Sequence, residues 1–207
     1  MIRRIAFAML AIFAGLALQA PALAADLIVV VTDNNGRPVE DAVAILDAPG
    51  GGATARRFVI NQKDEQFAPQ VLVIPVGSTI EFGNLDPFRH HVYSFSPARK
   101  FELKLFGEGE TRPVKFDKVG LVAIGCNIHD QMQGFIQVVD TPHAAKSGAN
   151  GRIVLRNVPA GNFQLRVYHP RLRAPGNQLM LTVNTATSKT VPVEVRLRRS
   201  APTHHDY

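Results

Sequence analysis

Residues 125–134 of the chain read Gly-Cys-Asn-Ile-His-Asp-Gln-Met-Gln-Gly. Three side chains with metal-binding atoms, Cys126, His129 and Met132, follow one another here at the spacing C-x2-H-x2-M. Apolar and β-branched residues flank the stretch on both sides, which predicts a tight loop between two strands. A loop of this length brings the three side chains towards one point.

A second stretch, residues 84–92, reads Asn-Leu-Asp-Pro-Phe-Arg-His-His-Val and supplies another imidazole. His90 lies 36 positions before Cys126, so it must come from a different strand or loop. Together the two stretches offer two imidazoles, a thiolate and a thioether, which is the donor set of a blue-copper electron-transfer site. The sequence therefore predicts one copper ion held by both stretches.

Residues 82–139 resemble the cupredoxins, with a ligand-loop spacing of the amicyanin type. The upstream stretch is similar to the cupredoxin pattern N-x-D…H-N-V, with His90 at the ligand position and His91 in the place of the Asn. The resemblance implies a copper site with these ligands: His90, Cys126 and His129 as the strong ligands and Met132 as the weak axial one. A wider resemblance is to methylamine-utilisation-type cupredoxin proteins of bacteria.

Two positions depart from the cupredoxin pattern. His91 replaces an Asn that joins the two ligand segments by hydrogen bonds in the family, and Gly125 stands where an aromatic residue often precedes the Cys. Hydrogen bonds around the ligands tune a metal site, so both departures bear on its rigidity and redox potential. His91 also remains open as the alternative ligand, although motif position favours His90.

The rest of the chain predicts an all-β protein. Residues 101–105 and 114–117 alternate apolar with charged side chains, which is typical of strands with one buried face. Turns rich in Gly and Pro separate such runs, and no stretch after residue 24 has convincing helical periodicity. We expect a cupredoxin-like Greek-key β-sandwich at residues 55–141 and a second small β-sandwich at residues 148–199. Residues 143–150 read as a crossing or linker between them.

The second sandwich resembles the carboxypeptidase-regulatory-like, transthyretin-like module. Residues 151–165 carry its pattern around Val-Pro-Ala-Gly, and residues 31–42 resemble its opening strand pair. One hypothesis is that the cupredoxin unit is inserted into this module, so that the N-terminal β hairpin at residues 25–48 pairs with strands after Arg152. In the alternative, that hairpin belongs to the cupredoxin sandwich.

The N-terminus has the layout of a secretory signal peptide at residues 1–24: a basic start, an apolar stretch and a small-x-small cleavage signal. The chain has one cysteine, so it cannot form a disulfide within itself, and a metal-bound thiolate explains a free thiol in an oxidising compartment. We therefore expect a periplasmic protein with no membrane span after cleavage. Residues 200–207 read as a disordered polar tail.

These features favour electron transfer with redox protein partners, such as a periplasmic dehydrogenase or cytochrome. Copper storage or delivery would use the same ligands, and an interaction module with a decayed copper site is a third hypothesis. The chain lacks the interleaved basic and aromatic patch of nucleic-acid-binding proteins. We expect no enzyme, because a Cys126–His129 nucleophile would lack an orienting third group. His143 and His169 are interpreted as surface or turn residues.

Overall fold

A computed structural model describes residues 24–199. The predicted signal peptide, apart from residue 24, and the predicted tail lie outside the described residues. No helix within the described range is long and apolar enough to cross a membrane.

Strands dominate the described chain, and one turn of 3-10 helix lies at Pro175–Asn177, which confirms the all-β prediction. The strands are β1 (Ala25–Asp33), β2 (Val43–Leu46), β3 (Arg57–Lys63), β4 (Gln66–Ala68), β5 (Val71–Pro75), β6 (Ser78–Asn84), β7 (His90–Ser94), β8 (Phe101–Phe106), β9 (Thr111–Phe116), β10 (Gly120–Gly125), β11 (Gln133–Val139), β12 (Ala144–Lys146), β13 (Arg152–Val158), β14 (Asn162–Tyr168), β15 (Gln178–Asn184) and β16 (Thr190–Val195).

Strands β3 to β11 form two sheets, ordered β4-β3-β6-β9 and β5-β11-β10-β7-β8, which we call the central unit. Alternate side chains of these strands turn inward, because successive residues of a strand point to opposite faces. They enclose one apolar core, whose largest members are fully buried: Phe82, Phe106, Phe116 and Ile136. Cys126 and Met132 belong to this core, so both ends of the candidate ligand loop are anchored in it.

Strands β1, β2 and β12 to β16 form two further sheets, ordered β13-β1-β16 and β12-β2-β14-β15, which we call the terminal unit. In β1, Leu27, Val29 and Val31 are buried and face Ala44 and Leu46 of β2 within a second apolar core. Full burial of such side chains stabilises a fold by about 1.5–3 kcal/mol each. A small third cluster, which includes Val43 of β2 and Val71 of β5, joins the two units.

The first strand pairs with strands that follow the central unit in sequence. β1 runs antiparallel to β13 and parallel to β16. This is the pairing that the insertion hypothesis requires. The predicted N-terminal hairpin is short: Thr32 bridges Pro38 after a tight turn, and the chain then enters β2 in the other sheet. Asp41, with φ of 58°, lies where the chain changes direction.

The predicted linker at residues 143–150 contains a strand, so that interpretation is wrong in part. β12 pairs antiparallel with β2 and thereby belongs to the terminal unit. His143 directly before it is 4% exposed, with its ring nitrogens 3.2 Å and 3.4 Å from the carbonyl oxygens of Arg156 and Pro49. A three-residue strand is too short to alternate visibly, which is why the sequence did not reveal it.

His169 is also buried. It begins a turn directly after β14, so of the two interpretations, surface or turn residue, only the surface one is wrong. Burial, together with the charge of Arg171, lowers the pKa of His169 to about 4. His169 therefore binds a proton near pH 6.5 in the unfolded chain but only near pH 4 in the folded chain. Its contribution to the unfolding free energy is fully present above pH 6.5 and is lost as the pH falls towards 4.

We expect this histidine alone to remove about 2 kcal/mol of unfolding free energy between pH 7 and pH 5. Urea unfolding of the metal-free protein and of His169→Gln at both pH values measures the effect. The variant should lose correspondingly less stability on acidification than the parent. Equal losses would contradict the assignment.

Candidate metal centre

The candidate ligands lie at one end of the central unit. They come from the start of β7 and from the loop between β10 and β11. Gly125, the last residue of β10, pairs with Tyr93 of β7 on one side and with Gln133 of β11 on the other. These pairings bring His90, the first residue of β7, next to Cys126.

The loop between β10 and β11 is closed by its own backbone. The amide of Cys126 donates to the carbonyl of Met132 at 3.3 Å, and the amide of Met132 donates to the carbonyl of His129 at 2.9 Å. Two hydrogen bonds in a seven-residue loop leave little conformational freedom. These backbone hydrogen bonds therefore hold the C-x2-H-x2-M segment in a compact turn.

His90, Cys126 and His129 form one cluster, with a potential ligand atom of each within 4.8 Å of the others. The Nδ1 of His90 lies 3.9 Å from the Sγ of Cys126. Two atoms bonded to one ion at about 2.0–2.3 Å lie roughly 3.5–4 Å apart in tetrahedral or trigonal geometry. His90 and Cys126 are almost fully buried, and the His129 side chain is 25% exposed.

An unpartnered nitrogen supports the fit of a metal ion. The Nδ1 of His129 is buried and has no hydrogen-bond partner among the described residues. A buried polar atom without a partner costs about 1–3 kcal/mol. Its other nitrogen, Nε2, lies towards solvent, 3.7 Å from Oε1 of Glu65. A metal ion bound at Nδ1 would satisfy the buried atom, so the residues present fit a small soft or borderline cation.

Met132 is the fourth predicted ligand. Its side chain is 1% exposed and lies in the same core cluster as Cys126. Thiolate and thioether sulfurs suit Cu(I), and imidazoles suit copper in general. The cluster of His90, Cys126 and His129 is compatible with copper binding.

Of the two candidate histidines on β7, the structure brings His90 to the cluster and turns His91 to the opposite face of the sheet. The Nε2 of His91 lies 3.0 Å from Oε1 of Glu102 on β8, and its buried Nδ1 has no partner among the described residues. His91 thus pairs with β8 rather than joining the two ligand segments.

Tyr93 covers Gly125, the other position that departs from the cupredoxin pattern. A Cβ atom at Gly125 would lie 3.0 Å from Cζ and Oη of Tyr93. A ring from the neighbouring strand therefore packs against Gly125.

Asp86 is a residue of the site whose role the sequence did not predict. Its Oδ2 lies 2.7 Å from Nε2 of His90, and the side chains of both residues are buried. Burial raises the pKa of Asp86, but hydrogen bonds from His90 and from the amides of Asp64 and Glu65 outweigh it and hold that pKa below its usual value. The i,i+4 spacing to His90 was the available sequence signal.

Two exposed apolar side chains lie near the cluster: Phe88 packs against its imidazole rings, and Ile128 precedes His129 in the loop. Phe88 and Ile128 are 41% and 49% exposed. The ring of Phe88 lies 5.0 Å from that of His90 and 5.7 Å from that of His129, measured between centroids. We call Phe88 and Ile128, the residue directly before His129, the apolar rim.

Comparison with solved structures finds copper proteins among the similar chains. The copper-containing nitrite reductase NirK of Thermus scotoductus SA-01 is 28% identical over 55% of this chain, with a TM-score of 0.39, and the match spans 28% of that chain. A purple cupredoxin from Nitrosopumilus maritimus is 22% identical over 42% of this chain and all of its own, with a TM-score of 0.35. A point mutant of amicyanin in its reduced state is 17% identical over 46% of this chain and 98% of its own, with a TM-score of 0.37.

No family model and no curated protein matches the chain. The TM-scores above are all below 0.5, and the ligand geometry stands independently of them.

Proposed function

We propose that this chain is a mononuclear blue-copper protein that carries single electrons. The observation that carries the proposal is the cluster of His90, Cys126 and His129, with the first two buried and 3.9 Å apart between Nδ1 and Sγ. Copper bound there would supply one-electron Cu(II)/Cu(I) chemistry.

Each residue of the site has a distinct task in this proposal. Cys126 provides the thiolate, and His90 and His129 provide the two nitrogens. Met132 would provide a thioether sulfur as a weak fourth donor. The apolar core and the closed loop keep water out and hold the donors in place, so the ligands need not rearrange when the charge changes.

His129 gives the centre a route to the surface. Its ring is the partly exposed member of the cluster and lies next to the ring of Phe88. The apolar rim around it provides a surface on which a partner protein docks with little polar surface to desolvate. We propose that electrons enter and leave here.

The wider setting is part of the proposal. We infer an exported, periplasmic, non-enzymatic protein whose partners are redox proteins such as a dehydrogenase or a cytochrome. The association with methylamine utilisation and the assignment of the terminal unit as a transthyretin-like module rest on sequence resemblance. The pairing of β1 with β13 and β16 supports the view that the central unit is inserted into that module.

Copper loading of the purified mature protein tests the function. We expect one copper per chain, an intense visible thiolate-to-copper band and a reversible Cu(II)/Cu(I) wave in voltammetry. A colourless protein that binds only Cu(I) would favour storage or delivery instead. A chain that takes up no stoichiometric copper would favour an interaction module and overturn the copper proposal.

The apolar rim gives a prediction about rate. Ile128→Gln is expected to slow electron self-exchange between copper-loaded copies about tenfold, because an apolar contact at the centre of a docking surface contributes more than about 1 kcal/mol. Line broadening of NMR signals in mixtures of the oxidised and reduced protein measures this rate.

Met180→Gln is the matched control, since Met180 is 56% exposed and lies on β15 of the terminal unit. Its self-exchange rate should equal that of the parent. Equal slowing in both variants would mean that docking does not occur at the rim.

A further inference from the structure

The carboxylate of Asp86 is the nearest anion to a candidate ligand, and the structure holds it rigidly. Its Oδ1 accepts the amide of Asp64 at 2.7 Å, and its Oδ2 accepts the amide of Glu65 at 3.2 Å. Its own amide donates to Oδ1 of Asn84 at 2.9 Å. The turn between β3 and β4 therefore fixes the carboxylate, and Asn84 of β6 fixes the backbone that carries it. The side chain is 6% exposed.

The contact with His90 determines which ring nitrogen is free for a metal. A carboxylate only accepts hydrogen bonds, so Nε2 of His90, 2.7 Å from Oδ2, carries the ring proton. Nδ1 then presents its lone pair towards Sγ of Cys126. Asp86 thus selects the tautomer of His90 that can bind a metal on the side of the thiol.

A buried negative charge hydrogen-bonded to an imidazole also increases the electron donation of that ring to a metal. The more highly charged ion gains more from this donation and from the nearby anion. Cu(II) is therefore stabilised relative to Cu(I), and the reduction potential falls.

We propose that Asp86 is a positioning residue that orients His90 and lowers the reduction potential of the copper centre. The inference rests on the proposed function, because it requires copper at His90.

The neighbouring histidine of β7 provides an internal control. His91 also has a carboxylate partner, Glu102, at 3.0 Å, but this pair lies outside the cluster. Asp86→Asn and Glu102→Gln each remove one negative charge from a histidine–carboxylate pair whose histidine lies on β7. Only the first pair includes a residue of the cluster.

The experiment is voltammetry of the copper-loaded parent and both variants. Asp86→Asn should weaken Cu(II) binding relative to Cu(I) at least tenfold, which corresponds to a rise in potential of about 59 mV for one electron. Glu102→Gln should keep the parental potential. An unchanged potential in Asp86→Asn, or an equal rise in both variants, would overturn the proposal.

A second measurement covers the case in which Asp86→Asn does not fold. NMR correlation of ring nitrogens and protons in the metal-free parent at pH 8 should show His90 with its proton on Nε2. A proton on Nδ1 would overturn the proposal without any variant. If the parent binds no copper, the proposed function fails, whereas the tautomer measurement still tests the contact between Asp86 and His90.

Discussion

Cys126→Ser is expected to abolish the visible band of the copper-loaded protein and to weaken copper binding by more than about 100-fold. Loss of a residue that only supports a ligand reduces metal affinity 10–100-fold, so loss of a ligand should exceed that range. A serine hydroxyl is a hard donor that does not replace a thiolate for Cu(I). Absorption spectra and competition with a copper chelator measure both effects.

The variant must remain folded for this result to count. Cys126 is 2% exposed, and a serine there buries a hydroxyl at a cost of about 1–3 kcal/mol if it finds no partner. Cys126→Ala avoids that hydroxyl and should lose the band equally. Far-UV circular dichroism and thermal unfolding of the metal-free proteins provide the comparison.

Variants of the two histidines of β7 test which of them binds the copper. His90→Gln should lose the band, whereas His91→Gln should keep it, because His91 lies on the other face of the sheet against Glu102. A band that survives in Cys126→Ala or in His90→Gln would show that the ligands are other residues.

Gly151→Ala is expected to destabilise the terminal unit by about 3 kcal/mol or more. Gly151 has φ of 70°, and a Cβ atom there would lie 2.4 Å from the carbonyl oxygen of Val31. The left-handed conformation costs roughly 1–2 kcal/mol for a residue with a Cβ. The clash with backbone adds to this cost, because no side-chain rotation relieves it.

The position matters because it joins the two ends of the terminal unit. The amide of Val31 in β1 donates to the carbonyl of Gly151, just before β13, at 2.8 Å. This hydrogen bond spans the whole central unit in sequence. A shift of about 6–12 °C in the melting temperature is expected for a chain of this size.

Gly148→Ala is the matched control for that variant. The nearest atom to a Cβ at Gly148 is Oδ1 of Asn150 at 3.9 Å, which is ordinary contact. Its melting temperature should differ little from that of the parent. Equal melting temperatures for Gly151→Ala and Gly148→Ala would contradict the pairing of β1 with β13.

The sequence was most informative where the chemistry is local. Cys126, His129 and Met132 lie within seven positions, so their order and spacing alone indicate a shared point. The alternation of apolar and charged side chains at residues 114–117 likewise predicts a strand with one buried face, because the period of a strand is two. Val114 and Phe116 of β9 are buried.

Sequence reasoning failed where a contact joins distant segments. Tyr93 covers Gly125 only because β7 and β10 are neighbours in a sheet. Glu65 approaches His129 from a turn between two other strands, and nothing in its surroundings marks it. Such partners follow from sheet order, which local patterns do not determine.

Short strands were also missed by the sequence analysis. β12 has three residues, and its place in the sheet is set by β2, about 100 positions earlier. The burial of His143 and His169 has the same origin, since each is covered by backbone from elsewhere in the chain. An isolated histidine carries no sequence signal of such cover.

The central claim is that one metal ion binds where His90, Cys126 and His129 meet. A crystal structure of the copper-loaded protein, with anomalous scattering recorded at the copper edge, tests it directly. We predict one strong peak per chain, within bonding distance of Nδ1 of His90, Sγ of Cys126 and Nδ1 of His129. A peak at His91 and Glu102, or a copper-loaded crystal with no peak near Cys126, would contradict it.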